Sequence, residues 1–270
     1  MLIDGQPGAM VSASDRGLNY GDGLFETMRL HAGAVPLLSR HLDRLRAGCT
    51  RLDLPYPGDA ALEADVARLA AEGSTHGVVR LVLTRGDGGR GYAPSAGATG
   101  RRIAALHPLP PAGPAAMSLG ICATRLGHSA ALGGLKHLGR LEQVLAAGEV
   151  AAAGWDEGLM LDESDRLVEA TRHNVFFVRD GRILTPPLAG SGVAGVMRGL
   201  IVESLVAVGL AGGEATLRYH ELHEIEGMFL SNAVVGVCPV RQVAGRVLPS
   251  EHVPAELRAA LVAAGVAWLA

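Results

Sequence analysis

Apolar residues in the first third of the chain fall into short runs that suit strands and longer stretches with helical spacing. Residues 25–30 read as a strand, and His76-Gly77-Val78-Val79-Arg80-Leu81-Val82-Leu83-Thr84 is β-rich and runs into a glycine loop. Between them, Leu42, Leu45 and Leu52 fall at helical spacing behind Ser39, a residue type that caps helices. A second helix is expected over about residues 60–71. His107-Pro108-Leu109-Pro110-Pro111-Ala112-Gly113-Pro114 then holds four prolines in eight positions. Proline lacks the amide hydrogen that helices and central strands require, so a linker over 108–117 is expected to divide an amino-terminal α/β domain, 1–107, from a larger domain, 118–270.

The second domain opens with a strand at 118–123. Leu138, Leu141, Val144 and Leu145 make an apolar stripe that predicts a helix starting just beyond Lys136. Two hairpins follow. Gly158-Leu159-Met160-Leu161 returns through Glu163-Ser164-Asp165 to Arg166-Leu167-Val168-Glu169, and Val175-Phe176-Phe177-Val178 returns through Asp180-Gly181 to Arg182-Ile183-Leu184. The glycine turn Gly192-Val193-Ala194-Gly195 opens a helix over about 196–207, and 228–230 and 234–240 supply further strands. This half is expected to be mostly antiparallel sheet. Residues 259–270 read as a terminal helix, at 12 residues too short for the roughly 20 that span a bilayer.

Composition narrows the class. A chain of 270 residues with 49% hydrophobic side chains is neither disordered nor collagen-like, and its length corresponds to about 1.8 domains. The net charge of −3 suggests neither a nucleic-acid surface nor an anionic-membrane partner. The amino end, MLIDGQPGAM, has no basic n-region and no apolar h-region, so a cytoplasmic location is expected. Cys49, Cys122 and Cys238 are far apart and in no metal spacing, which reads as three reduced thiols.

Of 24 basic side chains, 23 are arginine and one, Lys136, is lysine. Arginine does not give up its proton to become a nucleophilic amine, whereas a desolvated lysine does, and only an amine condenses with an aldehyde. Lys136 is thus either a chance survivor at a solvated position or a chemical necessity.

Other motifs are weaker. Gly86-Asp87-Gly88-Gly89-Arg90-Gly91 satisfies G-x-G-x-x-G, but Tyr92-Ala93-Pro94-Ser95 follows, and no helix can start there to hold a pyrophosphate. The loop either presents Arg85, Arg90 and Tyr92 to an anionic substrate or is a structural turn. His220 and His223 are three apart, not the four of a zinc helix, and read as a solvated segment. No nucleophile elbow is present. If Lys136 holds pyridoxal phosphate, the ring nitrogen needs an acidic partner, and the phosphate needs amides at a helix start together with a basic side chain. Glu169, in an apolar strand, and Val196-Met197, after the glycine turn, suit those parts. Alternatively Glu169 is a surface carboxylate on an edge strand.

At this point the chain resembles the fold type IV pyridoxal-phosphate enzymes, which include branched-chain and D-amino-acid aminotransferases and aminodeoxychorismate lyases. Ser14-Asp15-Arg16-Gly17, Tyr20-Gly21-Asp22-Gly23-Leu24-Phe25-Glu26-Thr27 and His41-Leu42-Asp43-Arg44-Leu45 match the amino-terminal signatures in order. The resemblance implies an α+β fold of two domains, a small α/β sandwich and a larger pseudo-barrel. It implies that Lys136 carries the cofactor and acts as the catalytic base, that Arg44 binds its phosphate, and that Glu169 holds its ring nitrogen. Val196 and Met197 supply phosphate-binding backbone, and Asn174 lies near the cofactor. Gly134-Leu135-Lys136-His137-Leu138-Gly139-Arg140-Leu141-Glu142-Gln143-Val144-Leu145 and Thr84-Arg85-Gly86-Asp87-Gly88-Gly89-Arg90-Gly91-Tyr92 look like the lysine segment and substrate loop of the lyase branch. Gly139 stands where many members have asparagine, and Leu141 where branched-chain aminotransferases typically carry tyrosine. Ala233 replaces the aminotransferases' phosphate-binding threonine, so Asn232 or nearby backbone is expected to serve. Arg90, then Arg85 and Arg29, are the expected readers of substrate carboxylates, with Tyr92 and Thr27 beside them. An aminotransferase and a non-catalytic cofactor-binding protein are the competing readings. The family habit also implies a homodimer.

Overall fold

The computed structural model describes residues 1–72, 74–94, 97–249 and 253–269. They divide into two compact units, Met1–Pro110 with Lys136–Gly139, and Pro111–Leu135 with Arg140–Ala270. The four residues that begin at the lone lysine therefore belong with the first unit, although the chain on either side belongs with the second.

The first unit contains β1 (Leu2–Ile3), β2 (Gln6–Pro7), α1 (Arg16–Tyr20), β3 (Gly23–Leu30), α2 (Leu38–Leu52), α3 (Asp59–Ala70), β4 (Gly77–Thr84) and β5 (Arg101–His107). The strands form one antiparallel sheet in the order β2-β1-β5-β4-β3. β3 and β4 pair from Gly23 opposite Thr84 to Leu30 opposite Gly77, so side chains alternate in phase across both strands. Leu24, Met28 and Leu30, with Val79, Leu81 and Leu83, pack in one buried core with Leu42, Leu45, Leu62 and Leu69 of the helices. The opposite phase places Phe25, Thr27, Arg29, Arg80 and Val82 on the other face. Ser39 is not the cap of α2. The helix starts after Leu37, whose burial rather than a side-chain bond sets the entry.

The second unit contains β6 (Met117–Ile121), α4 (Leu141–Ala153), β7 (Glu157–Leu161), β8 (Leu167–Ala170), β9 (Asn174–Arg179), β10 (Arg182–Thr185), α5 (Val196–Ala207), β11 (Gly212–Glu214), β12 (Gly227–Asn232), β13 (Gly236–Val243), β14 (Arg246–Val247) and α6 (Ala255–Ala263). Its sheet runs β11-β10-β9-β12-β13-β6-β7-β8, with β14 on β13. β6 is parallel to both β13 and β7, and β11 is parallel to β10. Leu167 of β8, Phe177 of β9, Leu184 of β10, Leu230 of β12 and Val240 of β13 meet in a single buried cluster. In a flat sheet β10 and β8 would stand about 30 Å apart. The sheet therefore curls around this cluster, as a pseudo-barrel does.

Both expected hairpins form, with Met160 opposite Glu169 and Leu184 opposite Phe177. The helix expected just beyond Lys136 begins only at Leu141, because residues 136–138 bridge to the start of β3 instead. The Phe25 amide donates to the Lys136 carbonyl, and the Leu138 amide to the Gly23 carbonyl, each at 3.0 Å. Nor does the stripe on α4 face inward: Leu141, Val144 and Leu145 are 77, 62 and 62% exposed, while Ala146 is buried. The terminal helix is also displaced. It occupies α6 and ends before Gly265, whose φ of +99° lies in the left-handed region, and a short turn over Ala267–Leu269 follows. Among the described residues no helix begins directly after Gly91, and none is long and apolar enough to cross a membrane.

Candidate functional site

In the first unit, the extended segment at 136–138 runs along the start of β3 and places Lys136 against the outward sheet face. Its Nζ stands 4.3 Å from the centroid of the Phe25 ring, and the Arg80 guanidinium carbon stands 4.4 Å from the same centroid. Both cations are held by the negative face of one aromatic ring. Thr27 lies opposite Arg80 in the strand register, and Arg29 follows on the same face. Among the described residues no carboxylate pairs with Arg80. Sequence reasoning passed over this arginine, although a charge interrupting the run Val78-Val79-Leu81-Val82 was its signal.

Arg44 projects from α2 onto a buried acid. Its Nε donates to Glu26 Oε1 at 2.8 Å and its Nη2 to Glu26 Oε2, while His41 Nδ1 lies 2.6 Å from that second oxygen. Burial opposes the ionised Glu26 carboxylate, but the Arg44 and His41 contacts prevail and bring its pKa down to about 2. Burial also pushes His41 below its ordinary value, against the pull of Glu26. This clamp fixes the plane of the Arg44 guanidinium. Glu26 was missed in the sequence because an acid in phase with Leu24 and Met28 has no meaning until its partners on α2 are in place.

Two of the expected substrate residues sit on the loop after β4, and both Arg90 and Tyr92 are exposed there. Arg85 is corrected. Its Nε donates to Asp22 at 2.8 Å, and its Nη1 and Nη2 donate to the carbonyls of Asp53 and Leu52 at 2.6 and 2.9 Å. It is a buried structural tie whose nitrogens are all engaged within the fold.

In the second unit, Glu169 on β8 is buried. Its Oε2 accepts the Val193 amide at 2.8 Å and its Oε1 accepts Gln143 Nε2 at 3.3 Å, two donors that suit an ionised carboxylate. Asn174 Nδ2 donates to the Val193 carbonyl at 2.8 Å. The two expected residues thus hold opposite sides of the same residue in the glycine turn. Gly192 has a φ of +74°, and a Cβ on it would lie 2.8 Å from both Leu188 and Val168 side chains. A Cβ on Gly195 would meet Asn174 Oδ1. Gly192 lies in the left-handed region that favours glycine, and a side chain at Gly195 would displace the Asn174 amide. Gly195 then begins α5, a helix of 12 residues with no side-chain cap, whose first amides belong to Val196 and Met197. Glu157, also unforeseen, ties the turn between Glu169 and Asn174 by accepting Thr171 Oγ1 and, at 2.7 Å, His173 Nδ1.

Asn232 is a second correction. Its Oδ1 accepts the amides of Val234 and Val235 at 2.9 Å each, and its Nδ2 donates to the Arg172 carbonyl at 3.3 Å. It closes its own turn rather than reaching for a ligand. Away from these residues, burial pushes the Cys49 and Cys122 thiols up to about 11, and Glu221 and Glu224 of the histidine segment pair with Arg179.

Residues 23–243 match the family model for amino-transferase class IV, and the chain belongs to that family. Within it, the structure is similar to 4-amino-4-deoxychorismate lyase from Pseudomonas aeruginosa, with 42% identity, a TM-score of 0.90, and coverage of 97% of this chain and 98% of that one. Aminodeoxychorismate lyase of Vibrio harveyi is 34% identical over 88% of this chain and 89% of its own length. The branched-chain amino acid aminotransferase of Escherichia coli shares the fold, with a TM-score of 0.84 at 22% identity, covering 97% and 91% of the two chains.

Proposed function

We propose that this chain is a pyridoxal-phosphate-dependent carbon–oxygen lyase of the cytoplasm that converts 4-amino-4-deoxychorismate to 4-aminobenzoate, a folate precursor, and pyruvate. The observation that carries the choice over transamination is the lysine segment. Five residues after Lys136 the chain offers Leu141, an exposed alkyl group at the start of α4, where branched-chain aminotransferases typically carry tyrosine. The 42% identity to the Pseudomonas aeruginosa lyase supports the same choice.

The residues fit the cofactor. Glu169 is a buried carboxylate that accepts from Val193 and Gln143, a side chain at Gly192 or Gly195 would crowd the turn, and the start of α5 has no side-chain cap. In this reading Lys136 binds the aldehyde, Glu169 keeps a proton on the ring nitrogen, Asn174 sets the turn that carries Val193, and Arg44 with the amides of Val196 and Met197 holds the phosphate. When bound, pyridoxal phosphate supplies an electron sink. With the substrate amine seated at the cofactor, Lys136 Nζ would serve as the base that takes the proton from the carbon bearing nitrogen. The C–O bond on the adjacent carbon breaks, enolpyruvate leaves, and the ring becomes aromatic. Lys136 then delivers the proton to the methylene carbon of enolpyruvate to give pyruvate, so the reaction is redox-neutral and balanced. Arg90, Arg29 and Arg80 are the cations assigned to the two substrate carboxylates, with Tyr92 and Thr27 beside them.

The test is product formation from enzymatically generated 4-amino-4-deoxychorismate with no keto acid added. Equimolar 4-aminobenzoate and pyruvate are expected. Neither product, from protein that retains its cofactor absorbance, would move the assignment to an aminotransferase. The proposal extends to a homodimer, supported by the exposed Leu141, Val144 and Leu145 on α4. Light scattering is expected to give twice the chain mass, and Val144→Asp with Leu145→Asp to shift it toward one chain. A wild-type mass of one chain would end that part of the proposal.

A further inference from the structure

The loop that carries Arg90 and Tyr92 lies across a single buried arginine. Arg16, on α1, has a side chain only 4% exposed. Its Nη1 and Nη2 donate to the carbonyls of Gly91 and Tyr92 at 3.0 and 2.6 Å, and its backbone amide donates to the Gly86 carbonyl at 2.9 Å. One residue therefore grips both ends of the loop over 86–92. Its Nε donates to Asp22 at 2.9 Å, the acid that Arg85 also engages. Burial opposes the Asp22 charge, but the two arginines hold its carboxyl below the usual range, so this anchor stays ionised.

The middle of the loop rests on the same side chain. The Gly88 amide donates to the Ser14 carbonyl at 3.2 Å, and a Cβ on Gly88 would lie 2.5 Å from Arg16 Cδ. Only a glycine lets the loop settle on the arginine's aliphatic stem. The guanidinium carbon also stands 4.7 Å from the Tyr20 ring centroid, and Tyr20 meets Tyr92 edge-on with centroids 5.6 Å apart. Gly91, whose carbonyl Arg16 holds, is the residue between Arg90 and Tyr92. A loop with four glycines in six positions has a large conformational freedom to lose, and the planar fork of an arginine is suited to holding two carbonyls at once.

We infer that Arg16 is a positioning residue for substrate recognition: it straps the loop over 86–92 so that Arg90 and Tyr92 meet an anionic substrate from a preset backbone. The inference rests on the substrate-reading role proposed above for that loop. Its experiment uses the cofactor-loaded protein. Arg16→Lys keeps the charge and loses the fork. Trypsin is expected to cut after Arg90, identified by a new amino terminus at Gly91, about tenfold faster than in the wild type. The KM for 4-amino-4-deoxychorismate is expected to rise about tenfold while kcat changes less than about threefold, because the loss is one of preorganisation. Gly88→Ala pushes the loop off the stem without altering any charge, and the same pair of changes is expected from it; it serves as the test if the lysine variant does not fold. Wild-type cleavage and wild-type KM in a folded variant overturn the strap. Arg90→Ala separates the strap from the reading beneath it. If that variant keeps its KM while Arg16→Lys still accelerates cleavage, the strap stands and the loop's part in reading substrate falls.

Discussion

Arginine in place of Lys136 is expected to abolish turnover, with a loss in kcat beyond about 10⁴-fold, because one substitution removes both the nucleophilic amine and the base. The charge is conserved, and so is the cation over Phe25, which Lys136 Nζ approaches at 4.3 Å. The fold is therefore expected to survive, and near-ultraviolet circular dichroism should match the wild type. The visible absorbance of the lysine-bound cofactor should vanish. The chain has a single lysine, which allows an independent check. A lysine-specific protease cuts the unfolded wild-type chain once, and borohydride reduction of the loaded enzyme should block that cut. Turnover retained by Lys136→Arg would sink the mechanism.

The second large effect is expected at Glu169. Glutamine is nearly isosteric, and its amide oxygen can still accept the Val193 amide that Oε2 accepts at 2.8 Å. What it cannot supply is a negative charge to keep a proton on a pyridine nitrogen. Glu169→Gln is expected to lower kcat by about 10²–10³-fold, the scale of losing one preorganised electrostatic partner, with a thermal midpoint within a few degrees of wild type. The kinetic and thermal measurements together decide the matter. A kcat near wild type would remove Glu169 from the chemistry. A collapse in thermal stability would show that the carboxylate serves the glycine turn instead.

Much of the fold was legible because it rests on local rules. Short polar turns between apolar runs marked both hairpins, and two glycines marked the start of α5. The failures share a cause. Ser39 had the chemistry of a cap, but burial of Leu37 decided where α2 begins. The stripe Leu141, Val144 and Leu145 had the period of an inward face, yet period alone does not say whether an apolar face meets the core or solvent, and here it lies exposed. Asn232 and Arg85 had the right residue types for ligands, and their hydrogen bonds turned out to close a loop and tie a strand end. Donor capacity is visible in a sequence; its use is not.

Residue type and local pattern alone singled out one lysine among 24 basic side chains, a carboxylate within an apolar strand, and a glycine turn before a helix. Those are properties of residue type and local backbone, which survive without tertiary contacts. It took the folded chain to show that Glu26 and His41 clamp Arg44, that Arg80 shares the Phe25 ring with Lys136, that Gln143 steadies Glu169, and that Arg16 straps a loop some seventy positions further on. Each of these pairs residues distant in sequence through a sheet register, a helix packed on a sheet or a folded-back loop. The partner of a buried charge is chosen by that packing, because burial is what makes an unpartnered charge too costly to keep.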